Sequence, residues 1–343
     1  MTASCGPGRV ALPRIGLGCA MLGRTDGGLD DPAAAAAIRH AAARGIGWFD
    51  TAPLYGATLS ETRLGAALRL IAPRPLVSTK VGFDFTATPG QVVTAGARRR
   101  DQSAAFTRRS IADSLARLGL ARLDLVFVHD PVDLADEAAS GSVAVLEEMR
   151  ADGLVGAIGV GVNDIEVARE LLARVRLDAV LLAGRYTLLD WSGAGFLREC
   201  RRAGIAAIAA APMASGILAT GARTPGTYRY AKAPPHVVAR VAAIEARCAR
   251  HDVPLRAAAL RFAAANPDIA SLLLGAGTRT EIDDTFACLA TPIPQALWDD
   301  LVDAGLLAPD LHLPPEIPPP RSARDDRTDE TARVVALENG GAA

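Results

Sequence analysis

Eight short apolar runs recur along the 343-residue chain: RIGLG (14–18), WFDTA (48–52), PLVSTKVG (75–82), LDLVFVHD (123–130), VGAIGVGV (155–162), AVLLAGRY (179–186), IAAIAAAP (205–212) and IASLLLGAG (269–277). A helical pattern follows each of them. Continuous apolar runs of this length suit strands buried on both faces, as in a parallel sheet covered by helices. Eight βα units in succession close a (β/α)8 TIM barrel, a fold that takes about 250 residues as a single domain. The fold class is therefore α/β, with one barrel domain over residues 1–308. The helices carry their own punctuation. DDPAAAAAIRHAAARG offers Asp30 or Asp31 as a cap, Pro32 in the first turn and Gly45 as the stop. SETRLGAALRL, TRRSIADSLARLGL and GSVAVLEEMRADG are similar units.

Two segments break the alternation. Residues 83–107, FDFTATPGQVVTAGARRRDQSAAFT, are a long insertion after the third strand with no clear period, the pattern of an active-site lid or of disorder. From Pro309 to residue 343 the chain is rich in proline and then in charge, which points to a mobile C-terminal tail. Charge excludes some partners: 37 basic residues balance 38 acidic ones without a dominant block, so neither nucleic acid nor an anionic membrane is expected. A small-molecule substrate is expected instead, on a monomer or small homo-oligomer. Cys5, Cys19, Cys200, Cys248 and Cys288 are scattered, with no CxxC spacing and no histidine pair beside them. This implies reduced thiols, a cytoplasmic location and no metal. The N-terminal residues lack the charged and apolar regions of a signal peptide. Residues 203–222 carry no charge, but Pro212 and three glycines suit a buried strand running into a loop better than a membrane span.

Catalytic groups of a βα barrel gather at the C-terminal ends of the strands, where the loops converge. That rule selects Asp50 at the end of the second strand, Tyr55 in the loop after it, Lys80 at the end of the third and His129 at the end of the fourth. Each alone has a structural explanation, as a cap, a loop wedge, a solvated end or a core histidine. Together they have a chemical meaning. A tyrosine hydroxyl ordinarily titrates at about 10 and exchanges protons near neutrality only if a cation stabilises the phenolate. Lys80 can supply that charge, Asp50 can hold Lys80 charged, and His129 can orient a substrate oxygen.

FDTAPLYGATLSETRLGAAL, STKVG, LDLVFVHDP and AGRYTLLD carry a resemblance to the aldo-keto reductases, which are nicotinamide-dependent (β/α)8 barrels. It runs from about residue 14 to 300, and the family's Asp, Tyr, Lys and His tetrad matches Asp50, Tyr55, Lys80 and His129 in order and strand position. AGRYTLLD with ASGILA further resembles the sugar-oxidising branch, the D-threo-aldose, L-fucose and L-galactose 1-dehydrogenases and the related pyridoxal 4-dehydrogenases. The resemblance implies a dinucleotide across the barrel mouth. Its pyrophosphate would lie on PMASGIL, near Ser215, Gly216 and Leu218, and its adenosine end on LLGAGTRTEIDDTF, with Gly275, Gly277, Thr278, Arg279, Glu281 and Asp284. Thr278 is equally an ordinary helix cap. Where NADPH-preferring members carry basic side chains, this chain has Gly277 and Glu281, which favours NAD over NADP; Arg279 points the other way. The Ser-Asn pair that holds the nicotinamide amide is replaced by GVGVN, leaving Asn163 as a shifted candidate. The stacking tyrosine is replaced by an alanine near 210, with Met213 to cover the ring.

The implied activity is NAD(P)-dependent hydride transfer to or from a sugar-like hemiacetal, alcohol or carbonyl, foremost an aldose 1-dehydrogenase-like oxidation. Alternatives are a carbonyl reductase or dehydrogenase of a specialised-metabolite pathway, a slowly turning-over nucleotide-binding regulatory subunit on the same barrel, and an unrelated barrel lyase or isomerase.

Overall fold

The computed structural model describes residues 11–25, 29–224, 226–229 and 231–314. Its strands in chain order are β1 (Ile15–Gly18), β2 (Trp48–Asp50), β3 (Leu76–Val81), β4 (Phe83–Phe85), β5 (Arg98–Arg100), β6 (Leu123–His129), β7 (Val155–Val162), β8 (Ala179–Ala183), β9 (Ala206–Ala210), β10 (Thr227–Tyr228), β11 (Ala231–Lys232) and β12 (Ser271–Gly275). Eight of them form a closed barrel in the order β1-β12-β9-β8-β7-β6-β3-β2, and every pair around it is parallel. Each barrel strand falls within one of the eight apolar runs. The remaining four make two antiparallel hairpins, β4–β5 and β10–β11.

Side chains alternate across a strand, so parity decides which residues enter the barrel. Trp48, Leu125, Phe127, Ala179, Leu181, Ile208 and Leu273 fill the interior, while Phe49, Val77, Val126, Val128 and Val160 pack outward under the helices. Gly16 makes room for the largest of the interior groups, since a Cβ there would lie 2.2 Å from the Trp48 ring. The same parity turns Asp50, Lys80 and His129 inward, two residues beyond Trp48, Ser78 and Phe127. Register brings them level: Asp50 pairs with Ser78, and Lys80 pairs with Phe127.

The first helix, Asp31–Ala43, starts at Asp30, whose carboxylate accepts from the Ala33 amide at 2.8 Å, and the turn after it uses Gly45 at φ +93°. The insertion 83–107 is not irregular throughout. Phe83–Phe85 pairs with Arg98–Arg100, and Ser103 caps the helix Ala104–Leu118 by accepting from the Phe106 amide. The sequence pattern hid both: the hairpin loop is long, and the first four residues of the helix fall in the segment read as insertion. Residues 203–222 form β9, a loop and the short helix Ile217–Thr220, and no helix among the described residues is long and apolar enough to cross a membrane. Of the C-terminal segment, 309–314 are irregular and 315–343 lie outside the described residues, as does Cys5.

Candidate active site

Lys80 is the hub. Its side chain is buried, and its ammonium donates to Asp50 Oδ2 at 2.5 Å and to the Thr51 carbonyl at 2.9 Å. A hydrogen bond with the Tyr55 side chain fills the third donor position, and the nitrogen stands 4.8 Å from the centre of the Tyr55 ring. Burial by itself would drive the proton off. The Asp50 charge, Tyr55 and the hydrogen bonds to both more than offset that, so Lys80 is held above its ordinary value of 10.5. Asp50 is fixed in turn: Ser78 donates to its other oxygen at 2.7 Å, and the Trp48 indole donates to Ser78 at 3.0 Å.

Tyr55 sits half-buried in a loop pinned from behind. Gly56 adopts φ +59° and packs so tightly on Gly23 that a Cβ there would lie 1.8 Å from the Gly23 carbonyl oxygen. The helix Leu59–Leu68 that follows is anchored by fully buried Glu61, which accepts from Thr79 at 2.6 Å and from Arg117 at 2.6 Å. Ser60 donates to the Cys19 carbonyl at 2.8 Å. These anchors explain why Ser60 and Glu61 open that helix: they fasten the Tyr55 loop to β1 and β3.

His129 presents its ring edge-on to Tyr55, with centroids 6.2 Å apart, and to Phe83, at 5.1 Å. Burial first, and then Lys80, Arg98 and Arg100, push its imidazolium well below the ordinary 6.5. At neutral pH it is a neutral imidazole, able to donate one hydrogen bond to a substrate oxygen. The four side chains selected from the sequence therefore share one place. Ser78, Thr51 and Glu61 support them and were missed. The inward parity of Ser78, two residues before Lys80, is the signal that could have found it.

Across the barrel mouth the loop after β9 bends through four residues of positive φ, Ala211, Ala214, Ser215 and Gly216. The Gly216 and Leu218 amides do not point to a ligand, because both donate to the Met213 carbonyl, at 2.9 and 3.2 Å. The Ser215 amide has no partner among the described residues, and Gly216 bridges in parallel to Thr227 of the β10–β11 hairpin. The Asn163 carbonyl accepts from Arg185 at 2.6 Å, and its amide lies 3.5 Å from Asp130. Asn163, Ala211, Ser215 and Arg229 line a cleft of about 190 Å³. Arg229 holds the β10–β11 hairpin over this cleft by pairing with Asp190 at 2.7 Å.

After β12 the helix Arg279–Ala290 starts with a full capping box. Thr278 accepts from the Glu281 amide, and Glu281 turns back to accept from the Gly277 and Thr278 amides at 2.8 and 3.1 Å. Glu281 thus takes the Gly277 and Thr278 amides, and Thr278 caps the helix. Asp284 is paired with Arg256 and does not face the cleft as a free carboxylate. Arg279 is exposed, and the space beside Gly275 is open. The unpartnered Ser215 amide, the cleft beside it and the open backbone at Gly275 fit an extended dinucleotide. A larger groove of about 980 Å³, between Arg150, Arg169 and Glu199, opens at the opposite end of the strands, far from Lys80.

A model of the Aldo/keto reductase family matches residues 14–304. D-threo-aldose 1-dehydrogenase of a Pseudomonas species is 35% identical over 316 residues, covering 87% of this chain and 95% of its own. Pyridoxal 4-dehydrogenase of Microbacterium luteolum is 33% identical over 322 residues, 86% of this chain and 94% of its own. The solved holo form of an aldo-keto reductase of Bacillus halodurans superposes with a TM-score of 0.73 at 22% identity, over 90% of this chain and 97% of that one, and so bears on the fold. A closed parallel barrel with this match along most of its length leaves one assignment: the chain belongs to the aldo/keto reductase family of oxidoreductases.

Proposed function

We propose that the protein oxidises the hemiacetal or alcohol carbon of a sugar-like substrate, and runs the reverse reduction, with Tyr55 moving the proton. The observation that carries this reading is Lys80, whose three donors are spent on Asp50, the Thr51 carbonyl and Tyr55. A lysine so placed stays charged and stabilises a phenolate at Tyr55 Oη. In the oxidative direction that oxygen takes the proton of the substrate hydroxyl. The carbon–hydrogen bond breaks with its electron pair, and a hemiacetal becomes a lactone. His129, neutral, donates to the same substrate oxygen and fixes its approach. Asp50 never touches substrate; it keeps Lys80 in place and charged.

When bound, a nicotinamide dinucleotide supplies the hydride acceptor or donor at its C4. Ser215 would receive its pyrophosphate through its amide, Asn163 and Met213 would flank the ring, and the 275–281 loop would take the adenosine end. NAD is favoured over NADP, because Gly277 offers no cation to a 2′-phosphate and Glu281 brings a carboxylate to the same loop. The sugar branch is supported by the two dehydrogenase relatives. Near-ultraviolet absorbance of reduced nicotinamide, followed with a panel of aldoses and NAD or NADP, tests the reading. Cofactor reduction by at least one aldose, faster with NAD, is expected. No reduction with any sugar, alongside reduction of simple aldehydes by NADH, would replace the sugar assignment with a carbonyl reductase.

A further inference from the structure

Arg98 and Arg100 stand on the same face of the β4–β5 ribbon as Phe83 and Phe85, while Arg99 and Asp84 stand on the other. The two faces treat their arginines differently. Arg99 is neutralised by Asp84 at 3.0 Å and Asp101 at 3.3 Å. Arg98 and Arg100 lie over the Phe83 ring, 5.1 and 5.5 Å from its centre; both act electrostatically on the Asp130 carboxylate but form no ion pair with it or with any other described residue. Arg100 donates through Nε to the Asp130 carbonyl at 2.7 Å, which ties the ribbon to the end of β6 and leaves its remaining N–H groups available. Phe83 is in edge contact with His129, so the two charges border the place where a substrate oxygen would meet Tyr55 and His129. Both guanidinia reach far enough to act on the imidazole electrostatically.

A cofactor phosphate does not account for this pair. In the ring order β3 lies diametrically opposite β9, whose loop carries the unpartnered Ser215 amide, and the hairpin follows β3 directly. The cations therefore stand on the side of the mouth left to the substrate. Two unpaired guanidiniums, each with several parallel N–H donors, suit one planar or tetrahedral oxyanion. Resting on the proposed hydride transfer at Tyr55, we infer that the substrate carries an anionic group, a carboxylate or phosphate monoester, and that Arg98 and Arg100 receive it. The class is then an acidic sugar or acidic aldehyde.

Matched pairs test this: galactose against galacturonate and against galactose 6-phosphate with NAD, and benzaldehyde against 4-carboxybenzaldehyde with NADH. The anionic partner is expected to have the higher kcat/KM in at least one pair, on the order of 10-fold at low ionic strength and less as salt is raised. The double variant Arg98→Gln/Arg100→Gln should erase that ratio, and Arg99→Gln should keep it. Preference for galacturonate or for galactose 6-phosphate tells a carboxylate from a phosphate site. If neutral partners turn over and no anionic one is preferred, or the preference survives the double variant, the inference is wrong while the proposed reaction stands. If nothing in the panel turns over, the proposed reaction fails. Calorimetric titration with galacturonate, galactose 6-phosphate and 4-carboxybenzoate then decides the arginine pair, which is refuted if none binds the wild type more tightly than the double variant.

Discussion

At the scale of single residues the account turns on Lys80. Burial opposes its charge, and the charge persists only because Asp50 and Tyr55 lie against it. Lys80→Met keeps most of the stem volume and deletes the ammonium. Lys80 titrates above its ordinary value, so in the wild type it stays charged through the pH range where Tyr55 must give and take its proton. Without it, the apparent pKa of the oxidative pH profile should climb toward that of an unassisted tyrosine, about 10. A profile that stays put while KM rises would make Lys80 a positioning residue only. The four principal side chains were legible in the sequence because barrel strands end at apolar runs and the polar residues there are few. Their supports were not legible: Ser78 reads as one more small strand residue, and nothing in the helical unit SETRLGAALRL shows that Glu61 is fully buried between Thr79 and Arg117.

At the scale of elements, pattern and structure agree where burial sets the period and part where loop geometry does. All eight barrel strands follow from continuous apolar runs, but the β4–β5 hairpin has only three residues on each side and was hidden in a segment with no clear period. The loop after β12 is a second case. Its sequence, which the resemblance assigns to the adenosine end, also offers Thr278 as a helix cap, and the reach of Glu281 back to the Gly277 and Thr278 amides completes that cap. That contact lets the charge and the cap be separated. Glu281→Gln keeps a carbonyl acceptor for the two amides and removes the negative charge. The melting temperature should change little, while the NADP to NAD ratio of kcat/KM rises roughly 3- to 10-fold at low ionic strength, the order expected of one partly screened charge. An unchanged ratio would reduce Glu281 to a cap and shift the basis of cofactor choice to Arg279.

On the scale of the whole molecule, a closed barrel divides labour between opposite sides of one mouth. The strands β2, β3 and β6 carry Asp50, Lys80 and His129, with the Tyr55 loop above them; β9 and β12 carry the loops whose Ser215 amide and open Gly275 suit a dinucleotide. The proton-moving residues and the dinucleotide loops come from different strands, so chemistry and cofactor binding should be separable by a single atom. Tyr55→Phe removes only the hydroxyl and leaves the ring beside Lys80 and His129. Cofactor affinity of wild type and variant, measured by fluorescence titration, and turnover of the best substrate in the same preparations test the central claim most directly. The account predicts an unchanged Kd for the dinucleotide and a fall in turnover of roughly 10²- to 10⁴-fold, the usual contribution of a positioned acid–base group. Near-normal turnover by Tyr55→Phe would contradict it.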